Sequence, residues 1–210
     1  MEGIIQSNRE DFINLLMSTK RPGIENVIKD IDELGFFEAP ASTRHHMNVA
    51  GGLVQHSLNT YKVAVSVFEG LLKIDPLLEK EIPRERIIVA SLLHDVCKSD
   101  IYVRTVRKYK SKIGTWEDVE AYKTSYKNFP MGHGEKSVVM LLCSGLELYE
   151  DEMLAIRWHM GPWGLNLNSE EEKRNYDIAR KLHPLVTIIQ TADNLAAALI
   201  ERTGTESDDL

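Results

Sequence analysis

The sequence predicts an all-α helical bundle that carries one small β-hairpin near residues 101–126. Most of the chain repeats apolar residues at spacings of three and four, which is the period of a helix with one buried face. One stretch is instead rich in Tyr, Val, Thr and Trp and contains Gly114, which favours two strands joined by a turn. With 210 residues, 43% of them apolar and 27% charged, the chain has the size and composition of one globular domain.

Two short amphipathic helices are predicted within residues 1–44, at 11–17 and at 24–34. The second helix spaces Ile24, Val27 and Ile31 so that all three fall on one face. We therefore interpret residues 1–44 as N-terminal helices that pack on the domain that follows.

Longer helices are predicted in the rest of the chain. Residues 49–72 place Leu58, Val65 and Phe68 on one apolar face, and Pro83 opens the next helix because proline suits a first turn. Beyond the hairpin, helices are expected at residues 136–142, 151–159, 170–181 and 184–200. The polar, acidic residues 201–210 are interpreted as a flexible tail.

Composition excludes several classes of protein. No apolar run approaches the 18 or more residues of a membrane-spanning helix, and the N-terminus lacks the basic start and apolar stretch of a secretory signal. The two cysteines, Cys97 and Cys143, cannot form a disulfide scaffold, so we expect a cytoplasmic protein without membrane partners. A net charge of −7 argues against a general nucleic-acid coat.

Histidine and aspartate occur in unusual local contexts. Examples are His-Asp-Val-Cys-Lys at residues 94–98, Gly-His-Gly at 132–134, and Asp193 in the middle of an apolar helix. A single histidine on an apolar helix is more often a satisfied core residue than a ligand. A carboxylate between isoleucine and leucine side chains, however, has a large desolvation penalty unless a positive group meets it.

One divalent cation would relieve these desolvation penalties together. Imidazole and carboxylate ligands from distant helices suit Mn²⁺, Fe²⁺, Zn²⁺ or Ni²⁺ better than Ca²⁺. The predicted ligands of this ion are His56, His94, Asp95 and Asp193.

The order of these motifs resembles that of the HD-domain metal-dependent phosphohydrolases. The resemblance rests on His-His-x-x-x-x-Gly-Gly-Leu-x-x-His at residues 45–56, His-Asp-x-x-Lys at 94–98, Gly-His-Gly at 132–134 and Ala-Asp-Asn-Leu-Ala at 192–196. The first motif is similar to the HD domain of bacterial 3′–5′ exoribonucleases. The resemblance implies an HD-domain helical bundle over residues 45–200, in agreement with the helical periodicity.

The resemblance also implies roles for individual residues. His56, His94, Asp95 and Asp193 would hold a first metal ion, and His133 and His159 would complete a second site that Asp95 bridges. The cofactor would be one or two divalent ions of Mn, Fe, Ni, Zn or Mg, activating a water for in-line attack on phosphorus. Lys98 would stabilise charge on the phosphoryl group, or alternatively only complement the dipole at a helix C-terminus.

Basic residues that follow the His-Asp motif are candidates for substrate binding. Residues 98–112 contain six basic side chains and one acidic side chain, and Arg104 or Arg107 could bind a phosphate bidentately. Arg157, two residues before His159, is a similar candidate. The alternative is a solvated hairpin whose Tyr and Trp side chains cover the core.

Three functions fit these motifs. The leading hypothesis is a metal-dependent phosphohydrolase acting on a phosphoester of a nucleotide or small phosphorylated metabolite. A second is a phosphodiesterase of short RNA or a nucleotide second messenger, although the Gly-Tyr-Pro signature of cyclic-dinucleotide phosphodiesterases is absent from the sequence. A third is a non-catalytic scaffold that senses metal or nucleotide. We expect no extended nucleic acid as partner, because residues 1–44 leave no room for the RNA-binding barrel of the exoribonucleases, and homo-oligomers stay possible.

Overall fold

The structure, a computed structural model, describes residues 2–111 and 113–202. The helices are α1 (Glu2–Ser18), α2 (Ile24–Glu33), α3 (Gly52–Leu72), α4 (Leu78–Glu81), α5 (Arg84–Leu93), α6 (Lys98–Ile101), α7 (His133–Cys143), α8 (Glu150–Arg157), α9 (Glu170–Leu182) and α10 (Pro184–Leu195). A 3₁₀ turn covers Gly161–Gly164, and a π-helical turn, Ala196–Ile200, continues α10. The strands are β1 (Tyr102–Lys110) and β2 (Trp116–Thr124). The all-α bundle with one small hairpin is therefore confirmed.

Helix α3 lies at the centre of the bundle and packs against both α5 and α10. Its face toward them is apolar, and Leu53, Leu58 and Phe68 on it are buried. Helix α8 closes the bundle against α5 and α10. Burial of these side chains removes apolar surface from water and holds the helices together. The motif residues of α3, α5 and α10 consequently meet inside one domain.

The N-terminal helices pack onto the same core. Phe12 of α1 lies in a cluster with Phe36 and Phe37, in which ring centroids are 5.1–5.6 Å apart. Helix α1 begins at Glu2, earlier than the predicted residue 11. Its first turns are mostly exposed and use polar contacts instead, such as Asn8 to Gln55, which apolar periodicity does not detect.

The predicted hairpin is present as an antiparallel pair. Tyr102 pairs with Thr124 at its base and Lys110 with Trp116 near its tip. Its base is fixed to the bundle by an ion pair between the buried Lys136 and the half-buried Asp100. The hairpin therefore starts directly beside the His-Asp motif and extends away from it. Among the described helices, none combines the length and apolarity that a membrane crossing needs.

Candidate metal centre

Two glycines bring the motif segments close enough to form one site. A Cβ atom on Gly52, at the start of α3, would lie 2.0 Å from the carbonyl oxygen of Met47. A Cβ on Gly134 would lie 2.2 Å from the carbonyl oxygen of Arg157. Only glycine permits such close approaches. Gly52 lets the loop that contains His45, His46 and Met47 pack against the start of α3, and Gly134 lets α7 pack against the end of α8. His133 and His159 are neighbours as a result, with ring centroids 5.3 Å apart.

Asp95 lies at the centre of a cluster of histidine and aspartate side chains. Its two carboxylate oxygens contact different members. The cluster consists of His56, His94, Asp95, His133, His159 and Asp193. Oδ1 lies 2.6 Å from Nε2 of His133 and 3.4 Å from Nε2 of His159. Oδ2 lies 2.6 Å from Nζ of Lys98, 3.2 Å from Nε2 of His94 and 3.6 Å from Nε2 of His56. The carboxylate is only 1% exposed, so its charge is compensated by these groups rather than by water.

Asp193 completes the side of the cluster at His56. Its Oδ1 lies 3.1 Å from Nε2 of His56 and 3.9 Å from Nε2 of His94. Asp193 and Asp95 therefore share two histidines although they are far apart in the sequence. His56, His94 and Asp95 meet the spacing needed to hold an ion, as do Asp95, His133 and His159, and likewise His94, His159 and Asp193. All six predicted ligands lie in this one cluster.

The hydrogen bonds of the rings fit a cation in the cluster. Nδ1 of His94 lies 2.7 Å from the carbonyl oxygen of Ser91, and Nδ1 of His159 lies 2.7 Å from that of Ile156. A carbonyl oxygen only accepts, so each Nδ1 carries a proton, and Nε2 is the ring atom that faces the carboxylates and is free to bind a metal ion once it carries no proton. Within the described residues, the buried Nε2 of His159 has no hydrogen-bond partner. A lone pair held 3.4 Å from a carboxylate oxygen requires a proton or a metal ion between them.

Ionisation of the carboxylates follows from their neighbours. Burial alone would raise the pKa of Asp95, but Lys98, His94 and His133 hold it well below the usual range. Burial would also raise the pKa of Asp193, and His56 lowers it by hydrogen bonding and by charge. Both carboxylates are therefore anionic at neutral pH and are competent metal ligands.

His56 is a proton-bearing ring when no metal is bound. Burial lowers its pKa, but hydrogen bonds to Asp193 and Glu201 outweigh burial and raise the pKa to about 9. A metal ion that takes Nε2 must displace this proton.

Glu201 is a site residue that sequence reasoning missed. It is 5% exposed, and both of its carboxylate oxygens lie 3.0 Å from Nδ1 of His56. The flexible tail predicted at residues 201–210 is therefore wrong for Glu201, which is buried, and residues 203–210 lie outside the described residues. The sequence offered only a weak signal: a glutamate that directly follows an apolar helix.

A cavity of about 470 Å³ opens from the cluster. Three members of the cluster line the cavity, namely His133, His159 and Asp193, and Lys98 lines it as well. Its walls include three aromatic side chains, those of Tyr102, Tyr126 and Trp163. This volume lies within the usual range for a small-molecule site.

Of the four predicted substrate-binding residues, the structure brings only Lys98 to the cavity. Arg104 and Arg107 lie on β1 about 7 and 17 Å beyond Tyr102, at about 3.3 Å per residue, and do not line the cavity. Arg104 instead lies 3.4 Å from Glu120 across the hairpin. Arg157 also does not line it, because its guanidinium pairs with Glu135 and stacks on Trp158 at 3.8 Å.

Comparison with known proteins agrees with this geometry. The family model described as HD domain matches residues 53–198. A dihydroneopterin 2′,3′-cyclic phosphate phosphodiesterase of Methanocaldococcus jannaschii is 32% identical over 98 residues, which are 46% of this chain. The matched segment spans only 36% of that relative's length. No solved structure gives a significant match to the chain.

The fold, the His/Asp cluster and the named relative together support the class of phosphohydrolases. The chain belongs to the HD domain family.

Proposed function

We propose that this protein is a metal-dependent phosphodiesterase that hydrolyses the phosphate diester of a small nucleotide-like molecule, with a cyclic phosphate as the substrate class. The observation that carries the proposal is the His/Asp cluster that opens into a bounded cavity with aromatic walls. The relative in Methanocaldococcus jannaschii, which is named for a cyclic phosphate of a heteroaromatic compound, supports the choice of substrate.

The ligand set supports two divalent ions that share Asp95. Its Oδ2 faces His56 and His94, and its Oδ1 faces His133 and His159. Asp193 would complete the ligand set on the side of His56. Four imidazoles favour Mn²⁺, Fe²⁺, Ni²⁺ or Zn²⁺ over Mg²⁺, which prefers oxygen ligands.

Divalent ions at such a site supply a hydroxide nucleophile near neutral pH and withdraw charge from the phosphoryl oxygens. The carbonyl groups of Ser91 and Ile156 fix the rings of His94 and His159 before substrate binds, which removes the cost of ordering them. The two carboxylate oxygens of Asp95 fix the distance between the pair His56 and His94 and the pair His133 and His159.

Lys98 is the cationic residue best placed to act on the phosphoryl group. Its ammonium lies 2.6 Å from Oδ2 of Asp95 and lines the cavity. Burial would lower the pKa of Lys98, but Asp95 raises the pKa above its usual value, so Lys98 is charged at neutral pH. A fixed cation there stabilises the negative charge that develops in the transition state.

The shape of the cavity supports a small substrate. A volume of about 470 Å³ accommodates a molecule of mononucleotide size. The rings of Tyr102, Tyr126 and Trp163 offer apolar surfaces against which a heteroaromatic base packs. The exposed basic residues of β1 do not line the cavity, which argues against a polynucleotide threaded to the metals.

The experiment that tests this function compares a diester with a monoester. Protein loaded with Mn²⁺ is assayed on 2′,3′-cyclic AMP and 2′,3′-cyclic GMP, and on bis(p-nitrophenyl) phosphate against p-nitrophenyl phosphate. We expect hydrolysis of the cyclic nucleotides and of the diester, abolished in Asp193→Asn. The exposed hairpin variant Asp118→Asn is the matched control and keeps full activity. Hydrolysis of only the monoester would refute the diester assignment, and metal binding without any turnover would favour the sensing scaffold.

A further inference from the structure

The π-helical turn after α10 changes which residue faces the metal centre. In an uninterrupted α-helix, position 200 falls within about 20° of Asp193 and position 201 about 80° away from it. The backbone N–H of Glu201 instead donates to the carbonyl oxygen of Ala196, 3.0 Å away and five residues earlier. The wider turn inserts one residue into the helix register. Glu201 therefore takes the place on Asp193's face that Ile200 would have occupied, and Ile200 is exposed.

The contacts of Glu201 are directed at one histidine. Both carboxylate oxygens lie 3.0 Å from Nδ1 of His56, and Oε1 also accepts from Nδ2 of Asn59 at 3.0 Å. Because a carboxylate accepts, Nδ1 of His56 carries a proton and Nε2 is the atom turned toward Asp95 and Asp193.

We infer that Glu201 is a positioning residue for metal binding, which orients His56 and strengthens it as a ligand through the Nδ1 hydrogen bond. The inference rests on the proposed metal site and concerns a residue outside the HD motifs. A carboxylate that receives the second ring N–H of a ligating histidine fixes its tautomer and raises its basicity. His94 and His159 have neutral carbonyl acceptors in the same role. Of His56, His94 and His159, His56 is therefore the one whose Nδ1–H donates to a charged group.

An alternative role for Glu201 is to bind a separate metal ion together with His46 and His56. The ligand atoms of these three residues also lie within ion-binding spacing. With the main ion bound at Nε2, a separate ion at Nδ1 would need His56 to surrender both ring protons. The hydrogen bond requires no such loss, so the geometry points to the positioning role.

The test measures metal affinity and the ring proton in the full-length protein. Titration calorimetry with Mn²⁺ is expected to show about 10- to 100-fold weaker binding in Glu201→Gln, with unchanged stoichiometry. The matched control is Glu152→Gln, which changes another buried carboxylate, one paired with Arg21 at 2.8 Å and remote from the cluster. It lowers the unfolding temperature and leaves Mn²⁺ affinity unchanged.

The spectroscopic readout uses ¹⁵N-histidine-labelled protein loaded with diamagnetic Zn²⁺. We expect the ring N–H resonance of His56 to shift strongly in Glu201→Gln, while those of His94 and His159 stay in place. Asn59→Ala removes the second contact of Glu201, together with a hydrogen bond from Gln55 that does not reach the cluster. It shifts the same resonance less and serves if the first variant fails to fold.

The outcomes distinguish failure of the proposed metal site from failure of the role of Glu201. If the wild-type protein binds no metal, both the proposed function and this inference fail. If it binds metal and Glu201→Gln matches its affinity with an unchanged His56 resonance, only the inference fails. Loss of one whole ion with the remaining affinity unchanged would establish a separate ion at Glu201 and also overturn the inference.

Discussion

Replacing Asp95 by asparagine removes a negative charge that lies within 3.6 Å of rings in both halves of the metal centre, those of His56 and His94 and those of His133 and His159. The variant keeps the side-chain shape but leaves the ammonium of Lys98, 7% exposed and 2.6 Å from Oδ2, without its closest anionic partner. Breaking a buried ion pair from one side costs about 3–5 kcal/mol. We therefore expect metal-free Asp95→Asn to lose about 3–5 kcal/mol of unfolding free energy and to bind no stoichiometric metal.

A double variant separates the two roles of Asp95. In Asp95→Asn/Lys98→Met the stranded cation is gone, so most of the unfolding free energy returns while metal binding does not. The assays are urea denaturation with a chelator present and elemental analysis after loading with Mn²⁺, with Asp118→Asn as the exposed control. Wild-type metal content in Asp95→Asn, or no recovery of stability in the double variant, would refute this reasoning.

Three further outcomes follow from individual contacts. His133→Ala removes one ring from Oδ1 of Asp95 and should reduce bound Mn²⁺ from two ions to one; an unchanged ratio would place His133 outside the second site. Metal-free protein should lose stability between pH 6.5 and 9, because the pKa of His56 is raised to about 9 and its proton stabilises the fold only below that value. The loss should reach about 3 kcal/mol at most, at 1.36 kcal/mol per pKa unit, and should vanish in denaturation curves of metal-loaded protein. A thiol reagent at pH 8 should modify the exposed Cys143 quickly and spare Cys97, because burial raises the Cys97 pKa to about 12; two fast thiols would contradict the buried environment.

The parts of this molecule that were predictable from sequence are those with a local signature. Apolar periodicity located the main helices, and the Tyr-rich stretch located the hairpin, whose strands fall within the predicted residues. Asp193 stood out because an unpaired carboxylate in an apolar helix is costly. His56 and Asp193, although far apart in sequence, could be placed together only because a metal ion gives them a common reason to be buried.

The features that were not predictable depend on the direction in which a strand runs, on tertiary ion pairs, and on which residues share one face of a helix. Arg104 and Arg107 were counted as basic residues near the His-Asp motif, but a strand carries them away from it at about 3.3 Å per residue. Arg157 lies near His159 in sequence, yet its charge is taken by Glu135. Glu201 reaches His56 only because of a π-helical turn, and a run of alanine and leucine does not distinguish that turn from a regular α-helix.

Anomalous diffraction from crystals grown with Mn²⁺ would locate the metal ions around Asp95. We expect two peaks that share Asp95, one bound by His56, His94 and Asp193 and the other by His133 and His159. Absence of any peak in the cluster, with Nε2 of His56 and Nε2 of His94 still 3.3 Å apart as here, would contradict the proposed metal site.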